Sequence, residues 1–228
     1  MHSIKSFMYH LGQSASALGL GIEATYLKMP DQSFIGPLGL SARIRIATWR
    51  DFDVDGFAAG HFYTIAANEF KDTPLARDTV TAGLAIRRNE KWYRMENQIY
   101  LTAGANAKQK LGNIEYEYEY GSILAVRVAA AAKLPIAKTA SVDLGGMGEV
   151  LLANPYKVHG GNFDYSSDRT RVVSVGPEVG INSGALRLAV NGRFVIDSTN
   201  GVSLDQLGDL MGQGVGQGSL GGSLSWQF

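Results

Sequence analysis

The sequence predicts an all-β fold, a transmembrane antiparallel up-and-down β-barrel of ten strands, and three observations predict it. Apolar residues alternate with polar or charged ones at period two in about ten segments, the pattern of strands with two different faces. No apolar run reaches the length of a membrane-spanning helix. A chain without such a run can still cross a bilayer if its strands close on one another and satisfy every backbone hydrogen bond. Finally, the connections between the segments alternate between short and long, as in barrels with tight turns at one end and loops at the other.

The first apolar face is Leu18, Leu20, Ile22, Ala24 and Tyr26, followed by a loop bracketed by Pro30 and Pro37. Leu38, Leu40, Ala42, Ile44 and Ile46 make the second, with Arg43 and Arg45 opposite. Asp51, Asp53, Asp55 and Gly56 read as a turn into a third strand over 57–68, the least regular segment. Val80, Ala82, Leu84 and Ile86 oppose Arg87 in the fourth, and Asn89-Glu90 connects it to a fifth over 92–102. Residues 113–128 read as one long strand, with Ile114, Tyr116, Tyr118 and Tyr120 against Glu115, Glu117 and Glu119; Pro135 marks the turn after it. Val142, Leu144, Val150 and Leu152 oppose Asp143 and Glu149, and Val173, Val175, Val179 and Ile181 oppose Ser174 and Glu178. A tight turn at Asn182-Ser183-Gly184 leads into Leu186, Leu188, Val190, Phe194 and Ile196, opposite Arg187 and Arg193, and the last strand covers 217–228. Eight or twelve strands are the alternatives to ten, with 57–68 the segment on which the count turns.

Alternation alone fits a soluble barrel with an apolar interior as well as a membrane barrel with an apolar exterior. Strands of about 10–12 residues, close to what a tilted crossing needs, favour the membrane. So do aromatics near strand ends, such as Tyr26, Trp49, Trp92, Tyr93, Tyr116 and Trp226. Charges of both signs at mid-strand then point into a lumen: Arg43, Arg45, Arg87, Arg94, Arg127, Arg187 and Arg193, with Glu96, Glu115, Glu117, Glu119, Asp143, Glu149 and Glu178. Two outcomes are open. The charges pair and plug a narrow interior, or they line a small polar pore with an acidic patch at Glu115, Glu117 and Glu119 that favours cations.

The chain closes on Gly-Ser-Leu-Ser-Trp-Gln-Phe, with Leu224, Trp226 and Phe228 at alternate positions. This ending resembles the C-terminal strand of bacterial outer-membrane β-barrels, where a final aromatic with alternating apolar residues is the signal read by the assembly machinery. The resemblance implies a Gram-negative outer membrane, with both termini in the periplasm. The implied partners are outer-membrane lipid and lipopolysaccharide, the barrel assembly machinery, and a small polar solute or an extracellular ligand at the loops. Residues 1–17 are expected as a periplasmic extension and 18–228 as one barrel domain, sufficient as a monomer because closure removes sheet edges.

Composition narrows the chemistry. With 21 basic and 21 acidic residues the chain carries no net charge, which argues against nucleic-acid binding by phosphate neutralisation. Without cysteine there is no thiolate metal site, disulfide or thiol nucleophile. Gly216-Gln-Gly-Ser-Leu-Gly221 matches a dinucleotide fingerprint in letters, but an alternating strand follows it where that motif requires a helix. Asp51, Asp53 and Asp55 lack the twelfth-position glutamate of a calcium loop, since Phe62 stands there. No cofactor, metal site or catalytic residue is assigned. His159 beside Asp164 and Asp168, with Asp205 and Asp209 in another loop, would suit a rim hydrolase. The omptin family of outer-membrane proteases is similar in strand count and rim chemistry, but no shared motif carries a catalytic residue over. The reading is therefore a small structural barrel or narrow pore, with a surface-loop binding protein or adhesin as the alternative and a rim enzyme the minority reading.

Overall fold

The computed structural model describes residues 5–11, 18–28, 33–62, 78–183, 186–199 and 218–226. Among them every regular element is a strand: β1 Lys5–Leu11, β2 Leu18–Lys28, β3 Ser33–Trp49, β4 Phe52–Phe62, β5 Thr79–Asn89, β6 Tyr93–Gly104, β7 Ala107–Leu111, β8 Ile114–Glu119, β9 Ile123–Ala137, β10 Ala140–Ala153, β11 Lys157–Gly160, β12 Phe163–Ser166, β13 Thr170–Ser183, β14 Leu186–Ser198 and β15 Gly218–Trp226.

The main sheet runs up and down. β2, β3, β4, β5, β6, β9, β10, β13, β14 and β15 each pair antiparallel with the next, and the sheet curls into a half-barrel. The expected segments overlap these strands, with β3, β4 and β9 running outside the expected bounds. β1 lies inside the segment expected as an extension and instead joins this sheet as an eleventh strand, antiparallel to β2 and parallel to β15.

Period-two alternation fixes which residues face which side, because successive side chains of a strand point oppositely. On the convex face, Leu40, Ile44, Leu84, Leu101, Val128, Leu152, Val179 and Leu188 keep 47 to 56 % of their surface exposed. Their neighbours in sequence turn inward, where Ala85, Ala125, Ala129, Ala131 and Ala189 leave space over the wall. Gly83 does the same: a Cβ there would sit 2.6 Å from Tyr100 Cβ and 2.8 Å from Phe57 Cζ. Its absence lets Phe57 and Tyr100 meet edge to face at 6.2 Å.

Three local expectations are corrected. The Asp-rich turn is confined to Arg50-Asp51, and Asp53 and Asp55 belong to β4, which ends at Phe62; 63–68 lie outside the described residues. Pro135 is inside β9, whose turn falls at 138–139. A proline is tolerated there because its neighbour β6 begins opposite Ala132, leaving Pro135 beyond that partner. Pro37 lies within β3, while Pro30 is outside the described residues.

The expected long strand over 113–128 is two strands in two sheets. β8 belongs to a separate four-stranded sheet, ordered β12-β11-β8-β7, and β9 to the main one. The break falls at 120–122. A Cβ on Gly121 would stand 2.3 Å from the carbonyl oxygen of Asn154 and 2.5 Å from that of Pro155, so only glycine lets the two loop bases cross.

Candidate functional site: the ion-paired concave face

The concave face is charged toward the short turns and apolar toward the long loops. In the charged zone Asp55, 1 % exposed, sits between arginines from both neighbouring strands. Arg43 Nε of β3 lies 2.9 Å and Arg87 Nε of β5 lies 2.5 Å from its Oδ2. Arg45 stands 4.0 Å from Oδ1 and pairs with Asp53 at 2.8 Å. Arg43 also reaches Glu96 on β6 at 3.5 Å. Arg127 acts on Glu96 electrostatically together with Arg43 and Arg87.

A second cluster occupies the adjoining wall. Arg94 Nε of β6 donates to Asp143 Oδ2 of β10 at 3.1 Å, and its Nη2 donates to Glu178 of β13. Asn182 Nδ2 donates to the other oxygen of Asp143 at 2.8 Å. Asp143 is fully buried, so the donors Arg94 Nε and Asn182 Nδ2, one on each oxygen, replace water it gives up. Ala131 and Gly145, which lie between Arg94 and Glu178 in the register, leave the arginine room to cross.

Tyr100 marks the boundary. Its hydroxyl donates to Glu149 Oε1 at 2.5 Å, while its ring packs on a buried cluster of Ile123, Ala125, Leu151, Ala153 and Val172. Tyr120 and Val195 pack against the same cluster. Beside it Thr81 and Thr102 share a hydrogen bond of 2.8 Å. This apolar plug lies at the loop ends of β9, β10 and β13.

The structure thus brings Arg43, Arg45, Arg87, Arg94, Glu96, Asp143 and Glu178 into two ion-pair clusters, and sets Glu149 opposite Arg127 in the β9–β10 register. It separates Glu115, Glu117 and Glu119, which belong to the loop sheet, not the concave face. Their register partners are Lys110, Lys108 and Lys157 across β7 and β11, and His159 beside Glu117. The side chains of Arg187, Arg193, Leu224 and Trp226, and the whole of Phe228, lie outside the described residues. Sequence reading missed Asp53, Asp55 and Tyr100. Asp53 and Asp55 carried a usable signal, since they share alternation with Phe57 and face the arginines of β3 and β5.

At the rim, His159 Nδ1 lies 3.1 Å from Asp164 Oδ1, across β11 and β12. Asp168 lies just beyond β12, and Asp205 and Asp209 are outside the described residues. No group of three metal-ligating side chains is assembled among the described residues.

The other face of the loop sheet is aromatic. Tyr116 and Phe163 meet at 6.4 Å, Phe163 stacks with Tyr165 at 6.4 Å, and Tyr165 lies 5.7 Å from Tyr156. Burial, the charge of Tyr165 and a hydrogen bond to Tyr165 push the Tyr156 phenol above its ordinary pKa. On the charged face, the hydrogen bond that Lys108 donates to Glu115 raises its pKa, as do the charges of Glu115 and Glu117.

No protein-family model and no curated protein matches the chain.

Proposed function

We propose that the sheet closes into a barrel spanning a bacterial outer membrane, and that its paired interior makes it a structural barrel with a narrow, occluded lumen. The observation that carries this reading is the polarity of the two faces. The convex face is a continuous belt of exposed Leu, Ile and Val, while the concave face holds buried, paired charges. Water would leave that belt as an apolar patch far larger than soluble monomers tolerate. Lipid makes it the ordinary outside of a transmembrane barrel. Closure is supported by β1, which registers antiparallel with β2 from Lys5↔Tyr26 to Leu11↔Leu20 and parallel with β15 from Phe7↔Gly222 to Leu11↔Trp226. Short turns on the periplasmic side put the four-stranded sheet outside the cell.

Occlusion over an open pore is favoured by the Ile123–Leu151–Val172 plug at the loop end and by the arginine–carboxylate clusters beneath it. The test is purified protein folded in detergent, with gel mobility compared before and after boiling, followed by planar-bilayer recording. A heat-shifted band and a silent bilayer are expected. Discrete channel steps from the unmodified protein would overturn the occluded reading, and absence of any heat-modifiable form would overturn the barrel.

A second reading, ligand binding at the loops, is favoured by one observation: two long connections fold together into a sheet with an exposed aromatic face. Removing 105–120 and 156–168 together should abolish such binding and leave the heat-shifted band intact.

A further inference from the structure

The short-turn rim carries a feature that neither the ion-paired interior nor the loop sheet uses. Trp49 and Trp92 stand exposed on successive turns, and each has a cation over its ring. Arg50 lies 5.0 Å from the Trp49 centroid and Lys91 Nζ 5.0 Å from that of Trp92. The chain's third tryptophan, Trp226, registers with Leu186, which pairs with Ser183 where β13 passes to β14. All three therefore belong to the same end of the sheet.

The turns are laced into one surface. Arg88 binds Asp51 of the preceding turn at 3.1 Å and Glu90 of its own at 3.0 Å, with its guanidinium over Phe52 and Tyr93. Lys133 donates to Asn89 and, at 2.9 Å, to the Glu90 carbonyl. Both acids of this rim are thereby engaged, whereas Arg50, Lys91 and Lys138 form no ion pair among the described residues. Among the described residues, five cations (Arg50, Arg88, Lys91, Lys133, Lys138) at this rim face two acids, Asp51 and Glu90, whereas at the loop end Lys108, Lys110, Lys157, Arg169 and Arg171 face seven.

Arg50 adds an independent observation. It has φ of 53°, the one left-handed non-glycine residue among those described. Glycine or asparagine fills such a turn position without strain. An arginine there accepts a conformational cost and places its charge at the tip of the turn, over an exposed tryptophan.

We propose that this rim docks on the anionic phospholipid of the leaflet it faces, with Arg50 and Lys91 on headgroup phosphates and Trp49 and Trp92 at the interface, an inference that rests on the transmembrane reading above. Charge complementarity selects that occupant, because unpaired cations meet a negatively charged surface. Continuity selects it too, because Ile46, Leu134 and Ile136 carry the exposed apolar belt up to the same rim. Tryptophan with an adjacent cation suits the boundary, where the ring meets acyl chain and the charge meets headgroup.

The full chain is folded into phosphatidylcholine vesicles holding a minor fraction of phosphatidylglycerol, with one or the other lipid brominated, and tryptophan quenching is compared. Brominated phosphatidylglycerol should quench more strongly than its bulk fraction allows. The excess should fall about fivefold for each cation removed, in Arg50→Gly and separately in Lys91→Gln, and vanish in high salt. Arg50→Gly also relieves the left-handed residue, so the variant should fold at least as well as the parent. A folded protein quenched equally by both brominated lipids overturns the proposal and leaves the barrel standing. No quenching by either lipid, with no heat-modifiable form, overturns the barrel reading itself. Loss of the excess on adding soluble glycerol phosphate would mean recognition of free phosphate, and overturns docking on the membrane.

Discussion

Arg94 on β6 holds Glu178 on β13 across two intervening strands, β9 and β10. Strands lie about 4.8 Å apart, so on a flat sheet the two backbones would stand roughly 14 Å from one another. The contact closes because the concave wall folds over the small side chains of Ala129, Ala131 and Gly145. Arg94 therefore reports curvature as well as charge. Arg94→Met keeps the volume and strands Asp143 and Glu178 without their cation. The loss expected is about 3–5 kcal/mol, read as an earlier urea midpoint in detergent or vesicles. An unchanged midpoint would mean that the arginine is a passenger.

Asp53 and Asp55 alternate on one strand and share Arg45, yet they should differ sharply on mutation. Asp55 is buried among Arg43, Arg45 and Arg87, and Asp55→Asn leaves three cations facing one another. Asp53 is partly exposed and bound to Arg45 and Thr48. Unfolding titrations should show a loss of several kcal/mol for Asp55→Asn and at most about 1 kcal/mol for Asp53→Asn.

Gly121→Ala should separate the loop sheet from the main sheet. The new methyl group meets backbone oxygens of Asn154 and Pro155, which cannot rotate away. Trypsin should then cut faster at Lys108, Lys110 and Lys157, while the heat-dependent gel shift stays as in the parent. Equal cutting rates would show that the loop bases move apart without cost.

Alkali should loosen the loop sheet. The Tyr156 phenol is raised above its ordinary value of 10.0, chiefly by burial and next by Tyr165. Its neutral form is thus favoured in the folded state. That contribution is complete below the unfolded value and is lost as pH rises through the folded one. Lys108, raised above 10.5 by Glu115 and then Glu117, acts in the same direction. Absorbance titration of tyrosinate should show Tyr156 ionising late, together with faster proteolysis of the loops; Tyr156→Phe should remove the late component. An early, unshifted titration would contradict the packing at Tyr165.

What the sequence disclosed and what it hid follow from one distinction. Which side chains share a face is written in parity, so Leu84 against Arg87, or Leu144 against Asp143, could be sorted by eye. Which charges meet depends on curvature and register, and parity carries neither. Nothing local says that Arg94 passes over β9 and β10 to reach Glu178. Asp55 was obscured because three aspartates before a glycine look like turn chemistry, although its spacing from Phe57 continues a strand. The tyrosine–glutamate run at 114–119 alternates as well as any strand of the main sheet. Only Gly121 and the Asn154-Pro155 pair show that it leaves, and their meaning is contact between distant segments.

The four-stranded sheet takes two strands from each of two loops, and its central pair, β8 and β11, joins one loop to the other. Neither hairpin is whole by itself. A chain diversifying this end under selection, or an engineer grafting a peptide onto it, must therefore change both loops in concert: altering one leaves the other with an orphaned edge. The two loops should behave as a single heritable unit, drifting together in sequence while the strands beneath them hold still.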